Sequence, residues 1–323
     1  MNKTNSTNVA IDRDFATHVA NGLSANPKKI SSRYFYDDQG DKLFQRIMNM
    51  PEYYLTNSEM EIFQNQKDAI LKAVNGQPFD LIELGAGDGT KTMVLLRHFL
   101  KAGSKFRYCP VDISEHVLEE LGAKLAKELP ELEVDPLPGE YFEVLRQLDS
   151  SVSKRPRVIF FLGANIGNFP KLDAKRFLKQ LRGLLQPGDQ LLIGIDLKKD
   201  PAIILNAYND PAGITAAFNL NLLHRINRDL GGNFAVNQFK HWETYNPLNG
   251  ETRSAIVSKI EQKVHIEAID QSFHFNAWEA IDVELSLKYD RQEIALMAAE
   301  VGFRVKAEFV DKQEYFVDSL WVV

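Results

Sequence analysis

The segment Phe79-Asp80-Leu81-Ile82-Glu83-Leu84 is an apolar strand that runs directly into the turn Gly85-Ala86-Gly87-Asp88-Gly89-Thr90-Lys91-Thr92, and a second apolar run ends at Asp112. Glycines at a strand exit let the backbone approach a ligand where a Cβ would collide, and a carboxylate at the tip of the next strand can accept from both ribose hydroxyls. The pairing commits the chain to an open α/β sheet that takes a nucleoside-bearing cofactor. Three cofactor classes use such a turn. A phosphate loop needs Gly immediately before Lys-Ser/Thr, and Thr90 stands there instead. A dinucleotide turn needs Gly-x-Gly-x-x-Gly, whereas Gly85, Gly87 and Gly89 misplace the third glycine. S-adenosylmethionine sites combine an acid just before the glycines, a short Gly-x-Gly turn and an acid ending the next strand, here Glu83, Gly85 to Gly87 and Asp112.

The C-terminal region favours the third class. Residues 293–300 have apolar spacing suited to a helix, and Gly302 lies where such a helix would end. Two β-rich runs follow, 305–310 and 315–323, separated only by Asp311-Lys312-Gln313-Glu314. Four residues close a hairpin and are too few for a crossover helix, so the last strand is expected antiparallel. A parallel sheet with an antiparallel last strand is the class I methyltransferase pattern and not the dinucleotide one. Mixed sheets are common, so an ordinary hairpin stands as the plainer alternative.

Composition limits the remaining classes. The 323 residues are 44% hydrophobic and 25% charged, as in ordinary globular chains, and the net charge of −6 argues against broad contact with nucleic-acid phosphates. A single cysteine, Cys109, excludes an intrachain disulfide. Residues 1–8 are polar without the apolar core of a signal peptide, and no run of 18 apolar residues occurs, so a cytoplasmic protein without membrane contact is expected. The seven histidines show no metal-ligand spacing, and no metal is expected.

Further strands are expected at 106–111, 158–162 and 190–197, with a weakly marked one at 132–137. Residues 61–199 and 286–323 form the expected cofactor domain. Residues 1–60 and 200–285 form the expected substrate domain, helical from 203 to 228 and alternating as strand from 254 to 266.

Arg33-Tyr34-Phe35-Tyr36-Asp37, Leu43-Phe44, Pro51-Glu52-Tyr53-Tyr54 and Glu59 resemble the L-histidine Nα-methyltransferase family of ergothioneine biosynthesis. So do Glu83-Leu84-Gly85-Ala86-Gly87 with Lys91-Thr92, Phe161-Leu162-Gly163-Ala164-Asn165-Ile166-Gly167-Asn168-Phe169, and Ala207-Tyr208-Asn209-Asp210 followed by Thr215-Ala216-Ala217-Phe218-Asn219. The resemblance spans nearly the whole chain and includes the substrate segments.

Residue by residue, it implies that Gly85, Lys91, Asp112, Glu140 and Tyr141 bind S-adenosylmethionine. Gly85 would admit the methionine portion, Lys91 would face its carboxylate, Asp112 the ribose, and Glu140 with Tyr141 the adenine; the family usually has Asp at position 140. It further implies that Tyr53, Asn168, Tyr208, Glu284 and Ser286 contact an amino-acid substrate, with Tyr36 a further contact and Asn168 the catalytic, nitrogen-orienting residue. Glu284 and Ser286 lie two apart on an expected strand, so both point to one face, where they could accept from and donate to an imidazole. Plainer roles compete: core aromatics for the tyrosines, solvent-facing positions for Glu284 and Ser286, and a helix cap for Asn168.

The chain departs from the family at Arg253-Ser254-Ala255-Ile256-Val257, where many relatives carry Ile-Glu-Met on the strand lining the ring pocket. The implied activity is S-adenosylmethionine-dependent Nα-methylation of a free amino acid, L-histidine to its trimethylated betaine, hercynine, with another α-amino acid or a histidine derivative as the alternative. A nicotinamide-dependent oxidoreductase would use the same early glycines without the C-terminal hairpin. A catalytically silent amino-acid-binding protein would share every motif.

Overall fold

The computed structural model describes residues 12–74, 78–149 and 155–323. The polar stretch 1–8 lies outside them. The chain divides into two compact units, one built from Tyr54–Lys199 and Leu287–Val323, the other from Met1–Tyr53 and Asp200–Ser286.

In the first unit, eight strands among the described residues form one sheet. From one edge its order is Arg304–Val310, Phe316–Val322, Gln190–Asp196, Arg157–Phe161, Phe79–Leu84 and Phe106–Asp112, with the short pieces Glu133–Val134 and Leu137–Pro138 both on the last. Every residue of Phe79–Leu84 and of Gln190–Asp196 is buried, as expected of parallel strands covered on both faces. The helix Arg291–Glu300 opens with a capping box in which Asp290 accepts from the Glu293 N–H and Glu293 accepts from the Asp290 N–H. Phe316–Val322 then runs antiparallel to both Arg304–Val310 and Gln190–Asp196, which completes the class I methyltransferase sheet.

The weakly marked strand at 132–137 is two separate two-residue pieces. Pro136 lies between them and cannot donate to a ladder. The expected first domain boundary after residue 60 falls inside the helix Tyr54–Val74, which joins the sheet-bearing unit whole.

The second unit packs helices against a four-stranded sheet ordered Lys28–Lys29, Ala280–Leu287, Glu251–Ser258 and Phe239–Asn246. Phe35, Phe218, Leu222, Ile256 and Ile281 belong to its core. The helical stretch expected from 203 to 228 is two helices, Pro201–Tyr208 and Ile214–Leu230. Pro211 and the left-handed Gly213 mark the break, and the Asp210 carboxylate accepts from the N–H groups of Ile214 and Thr215 at 2.9 and 2.8 Å at the start of the second helix. The expected alternation across 254–266 is likewise divided: Glu251–Ser258 lies in the four-stranded sheet, and Gln262–Ile266 pairs with Gln271–Phe275 in a separate ribbon. No described helix is long and apolar enough to cross a membrane.

Candidate functional site

At the exit of Phe79–Leu84, Gly85, Gly87 and Gly89 all hold positive φ, at 74°, 53° and 63°. Side-chain-bearing residues rarely adopt that conformation, which explains the repeated glycine. Gly85 is doubly constrained, since a Cβ there would lie 2.7 Å from the Tyr141 hydroxyl. Asp112 ends the neighbouring strand. Its Oδ2 accepts from the Gly87 N–H at 3.3 Å and its Oδ1 from the Ser114 N–H at 3.0 Å, so the carboxylate is oriented by backbone from both loops while each oxygen keeps a lone pair to offer.

Tyr141 begins the helix Tyr141–Asp149, directly after the exposed Glu140. Its ring meets Phe161 edge-on at 6.2 Å, and its phenol is pushed up to about 12 by burial first and then by the Asp112 and Glu140 carboxylates. Gly85, Asp112, Glu140 and Tyr141 therefore form one cluster.

Lys91 is engaged differently from the simple cation expected of it. Its ammonium forms an ion pair with Glu59, whose other oxygen accepts from the Gly163 N–H at 2.7 Å. Burial opposes the Lys91 charge most strongly, yet Glu59 outweighs it and raises the pKa. Asp318 is fully buried nearby without a hydrogen-bond partner on either oxygen, and burial, then Glu59, hold its pKa well above the carboxylate range. Glu83 accepts from the hydroxyls of Thr92 and Tyr108 and is pushed up to about 7, burial being the main cause.

Asn168 closes a 3-10 turn, Asn165–Asn168, after the strand Arg157–Phe161. Backbone contact fixes that turn, because a Cβ on Gly167 would come within 2.7 Å of the Leu287 carbonyl. The following helix Lys171–Gly183 starts at Pro170 with no side-chain cap, so capping is not what Asn168 does.

The remaining expected substrate residues gather in the other unit. The Tyr208 hydroxyl donates to Ser286 at 2.9 Å, and the Tyr208 carbonyl accepts from His241 Nε2 at 2.9 Å. Burial lowers the His241 pKa, against the opposing pull of the Tyr208 carbonyl and Asp210. Glu284 accepts from Ser254 at 3.0 Å. Tyr36 packs edge-on against Phe44 at 5.4 Å, and Phe44 against Tyr53 at 6.5 Å. Although 46% of Tyr36 is exposed, its hydroxyl pKa is raised strongly, by burial and next by the Glu284 carboxylate.

Motif reading assigned no role to Glu59, Asp318 or Ser254. Glu59 was findable, since Leu55, Ser58, Glu59, Ile62 and Phe63 form one buried helical stripe in which a carboxylate is out of place. Asp318 interrupts the apolar strand Phe316–Val322 in the same way. Among the described residues no group of three or more His, Cys, Asp or Glu side chains could hold a metal ion.

A family pattern described as histidine-specific, SAM-dependent methyltransferase matches residues 15–323. The chain is 35% identical to a histidine N-alpha-methyltransferase of Mycolicibacterium smegmatis, covering 94% of this chain and 93% of that protein. It is 34% identical to the protein of the same name from Mycobacterium tuberculosis, covering 91% and 89% of the two. Ergothioneine biosynthesis protein 1 of Neurospora crassa is 29% identical over 95% of this chain, which spans 35% of that longer protein. A chain with this glycine turn, this backbone-held acid at the next strand end and this sheet, alike to such relatives from end to end, belongs to the histidine-specific, S-adenosylmethionine-dependent methyltransferase family and is an N-methyltransferase.

Proposed function

We propose that the enzyme methylates the α-nitrogen of L-histidine and repeats the transfer until the nitrogen carries three methyl groups. The observation that carries the substrate reading is the pairing of Tyr208 with Ser286 and of Ser254 with Glu284, which sets a hydroxyl donor and a carboxylate acceptor on one strand, as the two nitrogens of an imidazole require.

The cofactor residues fit S-adenosylmethionine: the Gly85 cradle is one a Cβ would fill, and Asp112 is held with lone pairs to spare. Bound there, it supplies a methyl group on a sulfonium already activated for displacement. Asp112 would accept from the ribose, Glu140 and Tyr141 would flank the adenine, and Lys91, charge-balanced by Glu59, would face the methionine carboxylate. Asn168 orients the amine with its amide oxygen and the substrate carboxylate with its N–H groups, while Tyr53 and Tyr36 bound the amino acid. The α-amine must be unprotonated to attack, and water can take its proton without a dedicated base. Alignment therefore does most of the work.

Product masses test this. L-histidine with excess methyl donor should accumulate the trimethylated product, and Asn168→Ala should nearly abolish turnover with affinity for S-adenosylhomocysteine within about twofold of wild type. Arrest after one methyl would remove the repeated transfer, and normal turnover of Asn168→Ala would remove its role.

A second reading, another α-amino acid or a histidine derivative, is favoured by the departure of the segment 253–257 from the family, within which the Ser254 hydroxyl engages Glu284.

A further inference from the structure

The chain passes between its two units at three places: Tyr53 to Tyr54, Lys199 to Asp200, and Ser286 to Leu287. Within the sheet-bearing unit all three passages are tied to one side chain. Asp196, at the end of the strand Gln190–Asp196, is 1% exposed. Its two oxygens accept from the Tyr54 hydroxyl at 3.0 and 2.9 Å, its Oδ1 from Lys199 Nζ at 2.5 Å, and its Oδ2 pairs with Lys288 Nζ at 2.8 Å. Tyr54 opens one segment of the unit, Lys199 closes it, and Lys288 is the second residue of the other segment. The backbone adds to the tie, since the Tyr289 N–H donates to the Asp196 carbonyl at 3.0 Å and the Lys198 N–H to the Tyr289 carbonyl at 2.9 Å. Lys199 also donates to the Tyr54 hydroxyl at 2.8 Å, with its ammonium 4.2 Å from the Tyr54 ring centroid.

Such a cluster is a poor way to gain stability. Two ammonium groups and one carboxylate are withdrawn from water, with side-chain exposures of 4% for Lys199 and 0% for Lys288 and Asp196. Apolar side chains of similar volume often serve stability equally well or better at such positions. What they could not provide is a directional tie from one carboxylate to three separate stretches of chain.

We propose that Asp196 is a positioning residue for amino-acid binding, acting by fixing the chain one residue beyond Tyr53 and two residues beyond Ser286. Held at Tyr54, the segment carrying Tyr53 has its end set; held at Lys288, so has the strand that carries Glu284 and Ser286. The Asp112 carboxylate, by contrast, is oriented by the Gly87 and Ser114 N–H groups of other loops. The role rests on the assignment of Tyr53 and Ser286 to the amino acid.

The test uses the full-length enzyme, steady-state kinetics with L-histidine, and calorimetry with S-adenosylhomocysteine. Asp196→Asn leaves two buried cations with reduced compensation and can fail to fold, so two milder variants accompany it: Tyr54→Phe removes one donor and no charge, and Lys199→Met leaves a balanced Asp196 and Lys288 pair. Each mild variant is expected to raise KM for histidine about three- to tenfold, with kcat and the S-adenosylhomocysteine Kd within about twofold of wild type. Ser286→Ala is the reference. If it raises KM while both mild variants leave KM unchanged, or if they weaken amino acid and cofactor in parallel, the positioning role is overturned and the substrate assignment survives. If Ser286→Ala and Tyr53→Phe leave KM unchanged, the substrate assignment itself has failed.

Discussion

The residues proposed to bind the cofactor and those proposed to bind the amino acid are held in place by different means. Around Gly85 and Asp112 the fixing contacts come from backbone: three left-handed glycines and two N–H groups donated to one carboxylate. Around Ser286 and Glu284 they come from side chains far apart in sequence, Tyr208 reaching Ser286 across 78 residues and Ser254 reaching Glu284 across 30. Backbone-held sites depend on conformations that few residue types can adopt, so they tolerate little change. Side-chain-held sites can be altered one hydroxyl at a time without disturbing the chain that carries them, which makes them the place where substrate preference can drift within a shared fold.

That contrast fails first at Gly85. Gly85→Ala must strain a φ of 74° and displace the Tyr141 hydroxyl, so affinity for S-adenosylhomocysteine should fall about a hundredfold or more. Adding Tyr141→Phe relieves the overlap and leaves the strain. Recovery to near wild type in the double variant would show that crowding, and not backbone conformation, demands the glycine.

Glu83 tests the same region through pH. Its folded pKa of about 7 lies above the ordinary value of 4.5, so the folded enzyme keeps a proton that the unfolded chain releases. Stability from this group is present at low pH and declines between about 4.5 and about 7, by about 3 kcal/mol at most. Thermal melts of Glu83→Gln between pH 5 and 8 should show a flatter dependence than wild type, and parallel curves would refute the protonated state.

Asp112→Ala removes a charged acceptor already aligned by two N–H groups and should weaken S-adenosylhomocysteine by roughly 1.5 to 3 kcal/mol in calorimetry, with histidine KM little changed. The smallest effect belongs to the side-chain-held region. Ser254→Ala deletes one hydrogen bond to Glu284 and should change histidine KM by about threefold, with cofactor affinity untouched. A comparable loss of cofactor affinity would erase the distinction between the two regions.

The same distinction explains what could be read from sequence. The glycine turn and Asp112 are legible because local backbone geometry selects their residue types, and the last hairpin because four linking residues exclude a crossover. Glu284 and Ser286 read as an ordinary alternating strand, since nothing in their neighbourhood reveals partners 30 and 78 residues away. Their selection came from family resemblance. Glu59 and Asp318 left a signal, a carboxylate on an otherwise apolar face, but no motif announces what Glu59 pairs with. The break at Asp210 was available in Asn209-Asp210-Pro211 and was outweighed by apolar spacing on either side of it.

Competition among amino acids tests the account most directly. L-histidine, L-phenylalanine, L-leucine and L-lysine are supplied together with S-adenosylmethionine, and the products are identified by mass and by fragmentation. Histidine should dominate and carry its methyl groups on the α-nitrogen, because an apolar side chain would leave the Glu284 carboxylate and Ser286 hydroxyl desolvated without new partners, at about 1 to 3 kcal/mol each. Glu284→Ala should narrow the preference by weakening histidine more than phenylalanine. Methylation on the imidazole, or equal use of the four amino acids, would contradict it.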